Sequence, residues 1–258
     1  MKKNSIQTIL TDTMTVFWGE WLDLRVRILP IAAAGSTSPL IYILAFGFGL
    51  GSSMPKPAIG SNYLEFMLPG MVALSSMTVS FTGAVFSICV ERLYSKTFEE
   101  LLLLPVHPLA LHAGKMLAGI LRGLLTSVSV ILVAVLFTQK LVFLHPLFLL
   151  VIILNSAVFA GMGVIVGLNV KSLESVGLYT NFLITPMSFL GATFFDPASL
   201  PVALKGIVYL LPLTYASIGL RAAAYDLAKF PWYSIPVLLA AAIAFSAIGA
   251  RQFSTQQD

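Results

Sequence analysis

Charge is what this chain has least of. Only 10% of its 258 residues are Asp, Glu, Lys or Arg, against about 25% in an ordinary soluble domain. With 58% of positions hydrophobic, the composition is that of a polytopic membrane protein. It leaves no room for a separate soluble domain of usual size, roughly 100 residues or more. Cysteine is nearly absent: Cys89 stands alone in an apolar run, which excludes an internal disulfide and any zinc or redox spacing. His107, His112 and His145 are not clustered, and the first two are five apart rather than the four of a helical zinc pair. No phosphate loop occurs, because Gly114-Lys115 is followed by Met116 instead of Ser or Thr. No G-x-S-x-G elbow is present either. These absences predict no catalytic, cofactor-binding or metal site in this chain. Acidic residues avoid the apolar blocks, with Glu65 and Glu91 at opposite ends of the second, which disfavours an ion-driven carrier. The net charge of +4 does not indicate nucleic acid, since the cations sit at the ends of apolar blocks, where topology signals belong.

What is present is a series of long apolar runs. Six blocks, at about 28–50, 66–90, 116–137, 146–168, 176–195 and 232–250, each approach the ~20 residues that cross a hydrocarbon core. Backbone groups find no water there, so each block is expected to be helical, with local kinks at Pro30, Pro39, Pro186 and Pro236. Ahead of them, residues 1–27 read as an amphipathic interface helix. Ile6, Leu10, Met14, Phe17 and Trp21 share one face, and Thr8, Asp12, Thr15, Gly19 and Asp23 the other. Polar residues follow Lys2 and Lys3, so no cleavable signal peptide is expected. With a cytoplasmic N-terminus, ten cations fall inside (Lys2, Lys3, Arg25, Arg27, Arg92, Lys96, Lys115, Arg122, Lys171, Arg251) and five outside (Lys56, Lys140, Lys205, Arg221, Lys229). The positive-inside rule then places both termini in the cytoplasm. Residues 251–258 are expected to form a polar, disordered tail.

Two polar interruptions stand out. Residues 91–108 read as a short exposed helix. Thr97 and Glu100 fit a capping box, Phe98, Leu101 and Leu102 share a face, and Pro105 and Pro108 stop the helix. It is either a solvated loop or a docking helix that carries force from a soluble partner into the membrane. Residues 196–231 are too long for a simple loop and too apolar for plain coil. Two short helices, 202–211 and 214–224, separated by Pro212, read as a hairpin re-entering the outer leaflet, or as interfacial helices lying flat. Arg122, two turns into the third block, is expected to snorkel to the surface and receives no role. Arg221 is expected to keep its charge in water or among headgroups, and Tyr215 to sit at an apolar–aqueous boundary. Gly163 and Gly167 are expected to let helices pack closely, within the chain in preference to a contact between copies. Asn155, Asn181, Thr185 and Ser188 suit either packing or a weakly polar cavity.

Taken in order, these features resemble the type-2 permeases of ATP-binding-cassette transporters, the group with nodulation-factor, drug and polysaccharide exporters. The likeness rests on Glu91-Arg92 followed by Thr97-Phe98-Glu99-Glu100-Leu101 and Pro105. It rests equally on Pro186-Met187-Ser188-Phe189-Leu190-Gly191, Phe194-Phe195, Leu200-Pro201 and Pro212-Leu213-Thr214-Tyr215 ahead of Leu220-Arg221. Ser95-Lys96 stand where many relatives have a glycine. The resemblance implies an all-α permease in the bacterial inner membrane that moves an amphipathic or lipid-linked cargo outward. Its partners would be a separate ATPase holding Mg-ATP and a second permease protomer, in a homodimer rather than a heterodimer, among membrane lipids. It implies that Glu91, Arg92 and Thr97–Leu101 form the ATPase-coupling segment, and that Phe195, Pro212, Leu213, Thr214, Tyr215 and Arg221 form an outer gate. A groove formed chiefly by the first, second and fifth spans would carry cargo past Asn181, Thr185 and Ser188. A lipid-modifying membrane enzyme and a non-transporting scaffold for a soluble ATPase are the alternatives from other classes.

Overall fold

A computed structural model describes residues 6–45, 63–103 and 106–257, and they contain helices and turns but no strand. Lys2, Lys3, Lys56, the end of the first block beyond residue 45, and Leu104 and Pro105 lie outside the described residues. The α-helices are α1 (Ile6–Val26), α2 (Ile28–Tyr42), α3 (Tyr63–Val90), α4 (Thr97–Leu103), α5 (Pro108–Thr138) and α6 (Pro146–Asn169). They continue as α7 (Leu173–Tyr179), α8 (Thr185–Leu190), α9 (Val202–Leu210), α10 (Pro212–Tyr225) and α11 (Ser234–Gln257). Among the described residues, five helical stretches are long and apolar enough to span a membrane, six if α9 and α10, bent by 91°, count as one. The block expected at 176–195 is helical from 173 to 190 through a π turn at Thr180–Ile184. Glu174, Asn181 and Pro186 dilute its apolarity, and it is not among those five.

Helix starts follow a local rule that appears twice. His107-Pro108-Leu109 opens α5 and His145-Pro146-Leu147 opens α6. In each, proline occupies the first turn, where its missing N–H costs nothing, and the histidine Nδ1 accepts from the leucine amide at 3.2 Å. This cap moves the start of α5 eight residues ahead of the expected block at 116.

The axis of the molecule is α3, in which every residue from Glu65 through Met77 is buried. Against it lies α6. A Cβ added at Gly163 would fall 2.5 Å from the Phe81 carbonyl oxygen, and one at Gly167 would fall 3.1 Å from the Ile88 Cβ. The small-residue pattern is therefore used inside the chain. Asn155 of α6 pins the same contact, donating to the Ala73 carbonyl at 2.9 Å and the Ser76 hydroxyl at 2.7 Å. The core then fills with Met67, Met71, Phe81, Phe148, Phe159, Leu213 and Leu220.

Two terminal elements differ from expectation. Residues 251–257 are not a loose tail but the last turns of α11, and Phe253 is 1% exposed, its ring 5.9 Å from that of Phe98 and 6.2 Å from His112. Helix α1 has three faces, not two. Leu10, Met14 and Trp18 are exposed, as suits an interfacial helix, while Thr13, Glu20 and Leu24 are buried. Val16 packs over Gly114 of α5. The third face, Asp12, Thr15, Gly19 and Asp23, borders a groove.

Close packing at Gly163 yields a direct test. Gly163→Leu should lower the stability of the detergent-solubilised protein by ~1–3 kcal/mol or more, as overpacking does in a filled interface. Gly177→Ala, where an added Cβ meets nothing within 4 Å, should leave thermal unfolding unchanged or slightly improved. Equal melting of both variants would show that α6 does not rely on this approach.

Candidate functional site

Where α1, the end of α3 and the start of α5 converge, four ionisable side chains meet inside the protein. Glu20 of α1 faces Lys115 and Arg122 of α5, with Nζ–Oε1 at 2.5 Å and Nη2–Oε2 at 2.8 Å. Lys115 also pairs with Glu91, which follows α3 directly. The Ser87 hydroxyl donates to Glu20 at 2.6 Å, and Arg122 donates to the Gly83 carbonyl at 2.7 Å. Glu20, Lys115 and Arg122 are each less than a tenth exposed. Arg122 therefore does not snorkel to the surface. A carboxylate on the neighbouring helix supplies its counter-charge, so it can remain buried. Burial alone would raise the Glu20 pKa, but Lys115 and Arg122 outweigh it and hold the carboxyl at about 2, against an ordinary 4.5. Two acids face two bases in the cluster, and removing a charged member of such a set costs ~3–5 kcal/mol, because its partner is left buried and charged.

The segment expected to couple to an ATPase grows from this cluster. Residues Glu91–Ser95 form a π turn that ends at Lys96 with φ 55°, and α4 follows. Arg92 does not face outward. Its Nη1 donates to the Gly167 and Val170 carbonyls at 2.9 and 3.3 Å, closing the C-terminus of α6, where a cation is favoured. The expected capping box is not formed: Thr97 lies within α4, and its hydroxyl pairs with that of Ser95 at 2.9 Å. Phe98 is 4% exposed and packs with Ala84, Ile88, Leu111 and Phe253. It anchors α4 to the membrane body and is not available to a partner. Glu91, Arg92 and Phe98 thus form the inner side of the segment. Tyr94, Lys96, Thr97, Glu99, Glu100 and Leu103 form the exposed side, and Leu101 is half-buried between them.

Beside the cluster runs a groove of about 990 Å³ between α1, α2, α3 and α8. It extends along α3 from Leu74 to Glu91, ~25 Å at helical rise. Thr185 and Ser188 border it, as do Glu91, Leu101, Lys115 and Arg122. Asn181 does not; it is exposed elsewhere on the π turn. The elements that meet here are those of the first, second and fifth apolar blocks.

At the other end of α3 the hairpin is tied down. The Thr214 hydroxyl donates to the Val208 carbonyl at 2.6 Å and the Tyr215 hydroxyl to that of Tyr209 at 2.7 Å, which fixes the bend at Pro212. Leu213 is fully buried and fills the space over Gly191. Arg221, expected among headgroups, is 3% exposed. Its Nε donates to the Phe66 carbonyl at 2.9 Å, its Nη2 donates to that of Ala192 at 2.9 Å, and its guanidinium lies 3.7 Å from the Phe66 ring centre. Carbonyls and a ring face replace water around the charge, and α10 is clamped to the turn at 191–195. Phe195 is half-buried in that turn.

This architecture has counterparts among known proteins. The chain belongs to the ABC-2 type transporter family, whose model matches residues 11–225. It is 27% identical over 181 residues, 70% of each chain, to the inner membrane transport permease YadH of Escherichia coli K12. It is also 29% identical over 180 residues to nodulation protein J of Rhizobium meliloti strain 1021, covering 69% of this chain and 68% of that one.

No sequence pattern marks Glu20, and by sequence Lys115 and Arg122 read as topology signals. The available clue was their place: ionisable groups of opposite sign on helices that must pack have to find each other.

The depressed Glu20 pKa sets a pH dependence. Its ion pairs contribute stability that is complete above about 4.5 and lost as pH falls from there towards about 2. With Trp232 replaced by Phe, the fluorescence of Trp18 and Trp21 should report α1 loosening over that range. Glu20→Gln should remove the acid transition and loosen α1 already at pH 7. An acid transition unaltered in Glu20→Gln would assign it to other groups.

Proposed function

We propose that this chain is the membrane half of an ATP-driven exporter in the bacterial inner membrane. Two copies would assemble with two ATPase subunits that hold Mg-ATP, with both termini in the cytoplasm. The observation that carries this reading is the two-sided coupling segment. Its exposed side, Glu99, Glu100 and Leu103, is presented to a soluble partner, while Glu91 and Leu101 on the same segment border the groove. A displacement applied outside therefore reaches the groove wall within one short element. The names of the relatives, a transport permease and a nodulation protein, support an exporter of an amphipathic or lipid-linked molecule such as a drug, glycolipid or polysaccharide. The hairpin α9–α10, at the opposite end of α3 from the coupling segment, suits a gate at the outer exit, with Tyr215 and Phe195 beside it.

Co-expression with the ATPase separates this reading from a non-transporting scaffold. Glu99→Lys with Glu100→Lys should leave the permease equally stable but reduce ATPase recovery and transport into inverted vesicles. Phe98→Ala should act differently, lowering the stability of the permease itself by ~3–5 kcal/mol, the usual cost of a buried Phe truncation. Intact complex and intact transport in the double charge reversal would remove the exposed face of α4 from the coupling role. ATPase recruitment without any transport would favour the scaffold.

A further inference from the structure

The groove has a chemical bias in its lining. At one end Tyr42, Phe189 and Phe194 gather, with ring centres 5.4 Å apart for Tyr42 and Phe194 and 6.3 Å for Phe189 and Phe194. At the other end stands the polar face of α1, with Asp12, Thr15, Gly19 and Asp23, beside Glu20 and Glu91. Between them the hydroxyls have already placed their protons. Thr15 donates to the Thr11 carbonyl, Thr78 to Leu74, Thr82 to Thr78 and Ser188 to Ile184, at 2.7–2.9 Å. Ser87 donates to Glu20. Such hydroxyls meet the groove with acceptor lone pairs.

The charges lean the same way. Every cation bordering the groove is already paired with a carboxylate: Lys115 with Glu20 and Glu91, Arg122 with Glu20, and Arg27 with Asp23 at 3.5 Å. The carboxylates are not all used up. Asp12 pairs with no cation among the described residues, and the Glu91 Oε2 is buried without a hydrogen-bond partner. Ser75, 4% exposed, borders the groove with a hydroxyl that also has no partner. An anionic head would find no unpaired cation, only the Ser75 hydroxyl as an unpartnered donor, and a negative wall, whereas a protonated amine would find acceptors throughout.

From this we infer the cargo class: the groove takes cationic amphiphiles, an amine head on the carboxylate-bearing α1 wall and an apolar body towards Tyr42, Phe189 and Phe194. The inference rests on the groove being the cargo path. It narrows that path's range by setting aside phosphate-linked glycans. Gly19 provides a way to block the site, since a Cβ added there meets nothing within 4 Å and projects from the polar face of α1.

The test uses full-length permease in phosphatidylcholine nanodiscs, with empty nanodiscs to subtract partitioning, and calorimetric titration of three probes sharing one tail: dodecylamine, dodecyl maltoside and dodecyl phosphate. Dodecylamine should bind saturably and tightest, dodecyl phosphate at least about tenfold more weakly. Asp12→Asn should weaken dodecylamine by about fivefold while leaving dodecyl maltoside unchanged, the size expected for one half-exposed charge contact. Gly19→Leu should abolish saturable binding of dodecylamine with thermal unfolding intact. Dodecyl phosphate binding as tightly as the amine, or Asp12→Asn without effect on it, would overturn the cationic assignment. Should dodecyl maltoside bind with no preference for the amine, and be lost in Gly19→Leu, the groove survives as cargo path and only the head-group class fails. If none of the three binds saturably, the cargo-path reading itself fails, and this inference with it.

Discussion

Glu20 is the residue whose environment the rest of the structure has to accommodate. A carboxylate less than a tenth exposed beside a membrane span is tolerable only if its charge is met, and Lys115 and Arg122 meet it. That requirement fixes α1 against α5. Because Lys115 also holds Glu91, it fixes the root of the segment leading to α4 to the same point. Ser87 and the Gly83 carbonyl bring in α3. Three elements that apolar packing alone would leave free to slide are thereby held in one register.

The proposed function draws on what shares that point. The polar face of α1, the inner edge of the segment leading to α4 and one end of the groove are built from neighbouring residues, so under the proposed function a force on α4 would act on the groove through charges rather than through a long chain of contacts. Arg92 at the C-terminus of α6 and Phe98 against Phe253 extend the same anchoring to α6 and α11. At the far end of α3, Arg221 performs a comparable task with carbonyls in place of carboxylates. Both ends of α3 are thus secured by buried cations. The groove wall between them carries Ser75, Thr78, Thr82 and Ser87 of α3.

Much of this was legible in the sequence. Apolar block lengths marked the spans, Pro212 marked the bend between α9 and α10, and the ordered motifs from Glu91 to Arg221 marked the family. Thr185 and Ser188 fell on the groove as mild polarity in a span suggests, while Asn181, one turn away, did not. The misreadings share a physical cause. Taken by themselves in the sequence, Arg122 and Arg221 are side chains that escape to water. Burial became affordable through partners more than 100 positions distant in the case of Glu20 with Arg122, or through backbone carbonyls, which leave no mark in sequence. Phe98 and Phe253 pair across the chain in the same way, so one was read as a free anchor and the other as part of a loose tail. Removing the buried Lys115, Arg122 and Arg221 from the count of topology signals still leaves the inside excess at two to one, so the proposed orientation does not depend on them.

The claim that the cluster is a single energetic unit is open to one direct measurement. A double-mutant cycle on Glu20→Gln and Lys115→Met, read by equilibrium unfolding in nanodiscs, reports the interaction between α1 and α5 at the cluster. If the cluster binds them as described, the double mutant should lose less stability than the two single mutants together, with a coupling energy of about 0.5–3 kcal/mol. Strictly additive losses would mean that Glu20 and Lys115 act independently, and that α1 is held to the permease by apolar packing alone.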